Sequence, residues 1–399
     1  MLNKSIRNNM KKSVALLLAA MMVSGGSVLV SANEQVPSIA LEQSLGSETK
    51  VVEIHSTVVR NQKHNSAIVC LAPEDFLNAG FQLGDSCDIE FDNGHVLTDI
   101  PFYNGYYVKN GAPLVVAYPG QGFIQIARNN QGLFDEMELQ EGDGVTIRLH
   151  EAGKYYDIYE CFAQTYSLDR SDYNSDIEFC NFRTMQGGNL KENLLYRGAS
   201  PVDNRLGRAA YTDALLRDTG IQYLLDLSDT PEDMEAHFAK DDFCSEYAAE
   251  LYHNGKASAL GIGSGYGTDV YKQKVVQGMR EMLSSDTQGP VYIHCVEGKD
   301  RTGFVCFLLE SLAGASYDEM AADYMVTYKN YYSVTEEGTP VKYDAIKSLY
   351  FDAFAACLHG TEDLDQLKHA DYTQDAVNYL VSGGMTLEEV SALQAFITK

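Results

Sequence analysis

The sequence predicts an α/β domain in the second half of the chain, with a mainly parallel sheet flanked by helices, and a small all-β, barrel-like domain before it. From Asn181 onward, predicted strands and helices alternate, which is the pattern of a parallel sheet covered by helices. Before residue 179, short apolar runs are separated by turn residues, which is typical of a barrel or sandwich. A length of 399 residues with 45% hydrophobic and 22% charged residues suits a globular chain of two domains and a leader.

The leader is predicted to be a signal peptide of residues 1–32. Basic side chains precede the apolar run Val14–Met22, and small residues at Val30–Ala32 offer a cleavage site. An uncleaved membrane anchor is the alternative, because the apolar stretch continues to Val30. Residues 33–50 are predicted to be a linker. We therefore expect an exported protein, either secreted or associated with the cell envelope.

The all-β domain is predicted to span residues 51–178. Its expected strands are short apolar runs, namely Cys87–Phe91, Leu114–Tyr118, Phe123–Ile126, Val145–Leu149 and Tyr155–Tyr159. Asn93–Gly94, Pro119–Gly120 and Gly153 are predicted to form the turns between them. These patterns indicate no ligand for this domain. Its role stays open between presenting the substrate, binding the cell wall and stabilising the protein.

The stretch Val291–Gly303 carries the chemistry predicted for residues 179–399. Cys295 precedes Arg301 by six positions, between an apolar strand and an apolar helix. Loop N–H groups and a helix N-terminus would bind an anion and favour the thiolate of Cys295, and the guanidinium of Arg301 would grip two phosphate oxygens. His294 is predicted to orient the loop. The predicted phosphate-binding residues are Val296, Glu297, Gly298, Lys299, Thr302 and Gly303.

The order His-Cys-x-x-Gly-Lys-Asp-Arg-Thr-Gly resembles the phosphate loop of bacterial tyrosine phosphatases related to lipid-active and dual-specificity enzymes. The resemblance extends from about Ile177 to Lys399 and includes Asn181–Arg183, Gly187–Gly188, Leu195–Arg197 and Gly220–Leu227. Ser228 departs from the pattern, because the family usually has arginine there. The resemblance implies a cysteine phosphatase fold and hydrolysis of phosphomonoesters.

The predicted reaction has two steps and passes through a phosphocysteine. Cys295 attacks phosphorus in line, Arg301 and the loop amides hold the phosphoryl group, and Thr302 donates a hydrogen bond to the sulfur when water releases phosphate. The resemblance points to Asp300 as the general acid, although Lys299 and Arg301 should lower its pKa while desolvation should raise it.

Two other carboxylates stay open as general acids, Asp226 and Asp229, which follow the preceding predicted strand. A turn or cap role is the alternative for both. The glycine-rich segment Gly261–Gly267 has the wrong spacing for a nucleotide-binding loop, and we expect it to be a flap near the site.

Three functions remain open. The first is a tyrosine phosphatase, with possible action on phosphoserine and phosphothreonine. The second is an inositol phosphate or phosphoinositide phosphatase, which Lys299 favours and Glu297 opposes. The third is a noncatalytic phosphate-binding module.

The net charge and the cysteine pattern limit which substrates, metals and cofactors are expected. The formal charge is −26, and loss of the four basic side chains in residues 1–32 makes it −30, a surface that repels nucleic acid. We expect a phosphotyrosine-containing protein or a small phosphorylated molecule as substrate, and the oligomeric state stays open. The sequence has eight cysteines but no Cys-x-x-Cys or His-Glu-x-x-His motif, so neither a metal site nor a cofactor is expected.

Overall fold

The computed structural model describes residues 52–62, 64–118, 121–129, 131–263 and 265–399. The predicted signal peptide, the linker and the turn at Pro119–Gly120 lie outside these residues. The chain divides into two compact units, the first ending at Ala163 and the second spanning Gln164–Lys399. Within the described ranges, every helix is too short or too polar to cross a membrane.

The first unit is a closed barrel of seven strands in the order β1-β2-β6-β5-β4-β3-β7. Its core is built by alternation, as in β3, where Cys87, Ile89 and Phe91 point inward. The elements of this unit are β1 Glu53–Asn61, β2 Ser66–Val69, α1 Pro73–Asn78, β3 Ser86–Phe91, β4 Val96–Tyr103, β5 Pro113–Val116, β6 Ile124–Arg128, β7 Gly144–Glu151 and α2 Tyr156–Phe162. The prediction of a barrel-like domain is confirmed.

One predicted strand of this unit is wrong. The aromatic run Tyr155–Tyr159 is not a strand, because Tyr156–Phe162 forms helix α2. Strand β7 already pairs with both β1 and β3, which closes the barrel and leaves no free edge for another strand. Helix α2 instead buries Tyr159 and Cys161 on one face. Aromatic content alone had favoured the strand.

The second unit has a five-stranded sheet in the order β11-β10-β12-β9-β8. Strands β11, β10, β12 and β9 are mutually parallel, and β8 pairs antiparallel with β9. The strands are β8 Arg183–Thr184, β9 Leu195–Gly198, β10 Tyr223–Asp226, β11 Ala257–Ala259 and β12 Val291–His294. All four residues of β12 are buried, as expected for a central strand of a covered parallel sheet. The predicted α/β class with a mainly parallel sheet is confirmed.

Helices surround this sheet and continue beyond it to the end of the chain. They are α3 Asp176–Phe179, α4 Ala209–Thr219, α5 Pro231–Phe238, α6 Glu246–His253, α7 Asp269–Ser284, α8 Asp300–Leu312, α9 Tyr317–Tyr332, α10 Pro340–Ile346, α11 Asp352–His359, α12 Leu364–His369, α13 Tyr372–Ser382 and α14 Leu387–Ile397. A π-helical turn, Lys347–Phe351, joins α10 to α11.

The second unit begins earlier than the residue 179 expected from the sequence. Residues 164–178 belong to it because their aromatic side chains pack there. The ring of Tyr166 stacks on Tyr331 at 4.9 Å between centroids, and Tyr173 lies 5.1 Å from Phe179. Polar residues surround these two tyrosines in the sequence, so the segment carries no periodic apolar pattern that would assign it to either unit.

Candidate active site

The predicted nucleophile lies at the carboxyl end of the central strand. Strand β12 ends at His294, Cys295 follows it, and α8 begins at Asp300. We call residues 295–301 the phosphate loop. Cys295 is buried, with 3% of its surface exposed, and the N-terminus of α8 brings unpaired N–H groups and positive potential to the loop. Sequence spacing alone therefore placed Cys295 and Arg301 correctly relative to the strand and the helix.

Gly298 is required by both backbone conformation and space. Its φ is +67°, and a Cβ atom there would lie 2.2 Å from the carbonyl carbon of Gly198. Gly303 has only the spatial requirement, because a Cβ atom there would lie 2.7 Å from the ring of Tyr324. The two glycines therefore let the loop pack against β9 and let α8 pack against α9.

Donors outside the phosphate loop hold its carbonyl groups. Asn181 Nδ2 and Arg197 Nη2 donate to the carbonyl of Gly298 at 3.2 and 3.3 Å. The hydroxyl of Tyr331 donates to the carbonyl of Glu297 at 2.7 Å. Because C=O and N–H point in opposite directions from a trans peptide, these bonds fix the peptide planes that follow Glu297 and Gly298, and with them the N–H groups of Gly298 and Lys299.

A buried ionic network supports these donors. Asp323 accepts hydrogen bonds from Arg197 Nη1 at 2.6 Å and Arg183 Nε at 3.0 Å, and Arg183 Nη1 donates to Asn181 Oδ1 at 2.7 Å. Burial alone would raise the pKa of Asp323, but the two guanidinium groups outweigh it and lower that pKa. The segments Asn181–Arg183 and Leu195–Arg197, noted as part of the family resemblance, therefore meet behind the phosphate loop.

Arg301 is the second residue of α8. Its Nη1 donates to the carbonyl of Ile262 at 3.0 Å, in the segment that follows β11. That segment is tied down by Lys274, whose Nζ donates to the carbonyls of Leu260 and Gly261 at 2.7 and 2.9 Å. The prediction that the glycine-rich segment lies near the site is confirmed, whereas its mobility stays a prediction.

The environment of Asp300 favours the protonated form of its carboxyl. Desolvation raises the pKa of its carboxyl, and the opposing charges of Lys299 and Arg301 do not cancel that effect. Half of the side chain, 49%, is exposed to solvent, so a substrate can reach the carboxyl. Asp300 and Arg301 are the first two residues of α8, and Cys295 lies at the other end of the same loop, after β12. The three predicted catalytic groups are therefore carried by one short loop.

Asp226 has a structural role. The residue is fully buried, and its Oδ1 accepts hydrogen bonds from Ser228 N at 2.7 Å, Ser228 Oγ at 2.8 Å and Asp229 N at 3.2 Å. It therefore stabilises the turn after β10, which is the alternative role considered for it. The carboxyl of Asp226 has no exposed surface, which favours the turn role, and its use as a general acid stays a prediction. Ser228 takes part in this turn through its N–H and its hydroxyl.

Asp229 differs from Asp226 in its environment. Burial and the charge of Asp226 raise the pKa of Asp229 to about 7, against the lowering effects of His294 and His237. Its Oδ2 lies 3.8 Å from His237 Nε2, and 5% of the residue is exposed. Asp229 can therefore carry a proton at neutral pH, so it remains the second candidate acid.

His294 is a neutral, buried residue. Burial lowers the pKa of its imidazole to about 4, and the charge of Asp229 and the backbone of Cys295 do not offset this. The ring stacks on Tyr292 at 5.6 Å. An imidazole that stays neutral and has no exposed surface does not transfer protons to a substrate, which fits the predicted role in positioning the loop.

The side chains of Glu297 and Lys299 pair with each other. Lys299 Nζ lies 3.2 Å from Glu297 Oε2, and the hydroxyl of Tyr166 donates to Glu297 Oε1 at 2.5 Å. Burial would raise the pKa of Glu297, but Lys299, Tyr166 and Arg208 together lower it. Sequence reasoning missed Tyr166, because its segment had been assigned to the all-β domain.

Among the residues that the structure describes, one group of side chains has ligand atoms close enough for a metal ion. Asp203, Asp229 and His237 place such atoms within 4.8 Å of one another. Arg205 pairs with Asp203, and Lys240 Nζ lies 2.9 Å from His237 Nδ1. Because lysine only donates, that contact leaves the proton of a neutral His237 on Nε2, the atom that faces Asp229. Two cations already balance this group, so its geometry does not favour a metal.

The sequence of the second unit matches that of a known family. Residues 178–398, more than half of the chain, match the profile of a tyrosine phosphatase family. No curated protein matches the chain.

Solved structures give more distant matches. A structure of P. aeruginosa TpbA is 17% identical, with a TM-score of 0.22, over 59% of this chain and 96% of that one. A second TpbA structure, in complex with phosphotyrosine, is 15% identical, with a TM-score of 0.25, over 43% and 92%. An uncharacterised conserved protein from Thermotoga maritima is 17% identical, with a TM-score of 0.22, and the match covers 27% of this chain and 42% of that protein.

Proposed function

We propose that this chain, which belongs to the tyrosine phosphatase family, hydrolyses phosphomonoesters through a phosphocysteine and acts chiefly on phosphotyrosine. One observation carries the proposal: the carbonyl groups of the loop that follows Cys295 are tied to Asn181, Arg197 and Tyr331. The amides are thereby set to bind an oxyanion beside the sulfur before any substrate arrives. Such preorganisation contributes most to catalysis where charge develops in the transition state.

In the first step, the thiolate of Cys295 attacks phosphorus as the bond to the leaving oxygen breaks. Asp300, whose raised pKa favours the protonated form, gives its proton to that oxygen. In the second step, water attacks the phosphocysteine, its proton passes to the carboxylate of Asp300, and the sulfur leaves as a thiolate. Within the described residues, the buried hydroxyl of Thr302 has no hydrogen-bond partner, so it is free to donate to the leaving sulfur.

The substrate class is part of the proposal. A phosphorylated tyrosine side chain suits a protein of strongly negative charge better than an anionic lipid surface does, because only a local positive site has to bind it. The proposal extends to phosphoserine and phosphothreonine as secondary substrates. It also places the activity outside the cytoplasm, on the basis of the predicted signal peptide.

A second candidate is an inositol phosphate or phosphoinositide phosphatase. One observation favours it, since Lys299 is placed in the loop where it can meet a neighbouring phosphate. The same lysine is paired with Glu297 at 3.2 Å, which supports the first candidate. A noncatalytic phosphate-binding module is the third candidate, and turnover of any aryl phosphate would eliminate it.

The experiment compares variants across a panel of phosphopeptides, inositol phosphates and a nitrophenyl phosphate. Cys295→Ser should lower turnover about a thousandfold or more, yet keep oxyanion binding, since serine preserves the loop but its hydroxyl is a much weaker nucleophile than a cysteine sulfur. Arg301→Lys should weaken both turnover and oxyanion binding. Near-normal phosphate release by Cys295→Ser would refute the phosphocysteine mechanism.

Leaving-group dependence identifies the general acid. Asp300→Asn should slow phosphotyrosine peptides by about 100-fold or more but nitrophenyl phosphate much less, because nitrophenolate leaves without a proton. Asp229→Asn is the matched variant at the second candidate acid. If Asp229→Asn shows the leaving-group dependence and Asp300→Asn does not, the two roles are reversed.

A further inference from the structure

Glu297 is an acidic side chain inside a loop that binds anions, and the proposed mechanism does not use it. Its carboxylate would repel a phosphate unless nearby positive charge balanced it. Tyr166 and Lys299 contact it, and the charge of Arg208 also favours its ionised form; the three belong to separate parts of the second unit. The role inferred for Glu297 rests on the proposed phosphatase function and concerns the class of substrate that the same site accepts.

Both carboxylate oxygens of Glu297 are engaged. Tyr166 donates to Oε1 at 2.5 Å, and Lys299 Nζ lies 3.2 Å from Oε2. Lys299 Nζ also lies 3.7 Å from Asp300 Oδ2, and only 18% of the Lys299 side chain is exposed. The only basic side chain between Cys295 and Arg301 is thus already balanced by two carboxylates.

Tyr166 is itself held in a fixed position. Its ring stacks on Tyr331, and the Arg208 guanidinium lies 4.7 Å from the Tyr166 centroid and 4.3 Å from the Tyr331 centroid. Arg208 is 1% exposed, and within the described residues its three side-chain nitrogens have no hydrogen-bonding partner of suitable geometry. Its charge is therefore balanced by aromatic faces and by Glu297. Tyr331 holds the main chain of Glu297 while Tyr166 holds its side chain.

We propose that Glu297, locked by Tyr166, makes the site selective for substrates with a single phosphate group and disfavours polyphosphorylated rings. A substrate phosphate carries a charge of about −1.5 to −2, and a second phosphate beside it needs a free cation. Lys299 would be that cation, but Glu297 neutralises it. The carboxylate, 29% exposed, also presents negative charge to the second group.

The test measures kcat/KM for a monophosphorylated tyrosine peptide and for a soluble inositol bisphosphate with phosphates on neighbouring carbons. Glu297→Gln should shift the ratio of the two values toward the bisphosphate by about tenfold, because it removes a charge and frees Lys299. Tyr166→Phe should shift it in the same direction by less. The shift should shrink as salt is added, since the effect is electrostatic. A loss of stability alone would lower both values and leave their ratio unchanged.

Two further variants act as controls. Glu192→Gln changes the net charge by the same amount at an exposed site that pairs with Lys399, so it should leave the ratio unchanged. Adding Lys299→Gln to Glu297→Gln should remove the gain, because the freed cation is then absent. If Glu297→Gln does not fold, Tyr166→Phe, checked by circular dichroism, decides alone.

The outcomes separate the inference from the proposed function. An unchanged ratio in a folded Tyr166→Phe or Glu297→Gln protein that still hydrolyses the peptide overturns the role of Glu297 and leaves the phosphatase assignment standing. An equal shift in Glu192→Gln also overturns it, because global charge would then be the cause. A wild-type protein that hydrolyses neither substrate nor an aryl phosphate instead refutes the proposed function.

Discussion

Asp229→Asn should change how the stability of the second unit depends on pH. The folded protein raises the pKa of Asp229 to about 7, because the carboxyl is buried beside the charge of Asp226. In an unfolded chain the same group titrates near 3.9. Below that value, both states are protonated and the carboxyl costs nothing. As the pH rises toward 7, only the unfolded state ionises, so the wild-type protein loses stability until the folded carboxyl has also ionised.

The size of this loss follows from the two pKa values. A difference of about 3 units corresponds to about 4 kcal/mol at 1.36 kcal/mol per unit. That figure is a ceiling, because Asp226, His237 and His294 face the same carboxyl and share the change in protonation. The Asp229→Asn variant carries no ionisable group at this position. Its advantage over wild type should therefore grow between about pH 4 and 7 and then level off.

The assay is urea unfolding of both proteins with a reductant present, at several pH values from 4.5 to 8. Ellipticity at 222 nm is a suitable signal, because the long helices lie in the second unit. Comparing two proteins at each pH cancels the groups that titrate alike in both, and Asp218→Asn on the exposed face of α4 is the control. A stability difference between Asp229→Asn and wild type that stays constant with pH, or falls as pH rises, would refute the reasoning.

Three other outcomes are expected. Gly298→Ala should lose most phosphatase activity, because the residue has positive φ and no space for a Cβ atom. Gly207→Ala is the control: it has a similar φ of +66° but open space, so it should cost only about 1 kcal/mol of stability. Equal losses of activity in the two variants would contradict the role of the loop backbone. Brief peroxide treatment should inactivate the enzyme and bound phosphate should slow that loss, because the thiolate of Cys295 is the oxidised group; full resistance of the unoccupied site would count against a reactive thiolate. A fragment of residues 164–399 should fold and hydrolyse an aryl phosphate. A shorter fragment of residues 179–399 should be less stable, with a lower urea midpoint. If the longer fragment folds but is inactive, the first unit contributes to the site.

The phosphate loop could be recognised from the sequence because its determinants are close together along the chain. The run from β12 to α8 contains the nucleophile, the glycine turn and Arg301 within a dozen residues. A loop between a buried strand and a buried helix lies at the carboxyl end of the strand, so all three residues are brought to that end of the sheet. The barrel was predictable for a similar reason, since alternation in strands such as Cys87–Phe91 records which face is buried. The same local reasoning failed at Tyr155–Tyr159, where pairing among distant strands left no edge to join.

Only the tertiary structure decides the pKa values of the aspartates near the site and the contacts that hold the phosphate loop. The pKa of Asp300 rises because desolvation in the folded chain outweighs the charges of Lys299 and Arg301, and Tyr266 and Tyr324, from other parts of the chain, lie close enough to feel its charge. Asp226 and Asp229 look equivalent in sequence and both are buried, yet hydrogen bonds from Ser228 and Asp229 place Asp226 in a turn, while its charge helps to raise the pKa of Asp229 to about 7. The hydrogen bond from Tyr166 to Glu297 joins residues 131 positions apart. No spacing or periodicity encodes such contacts, because they depend on how the folded elements pack.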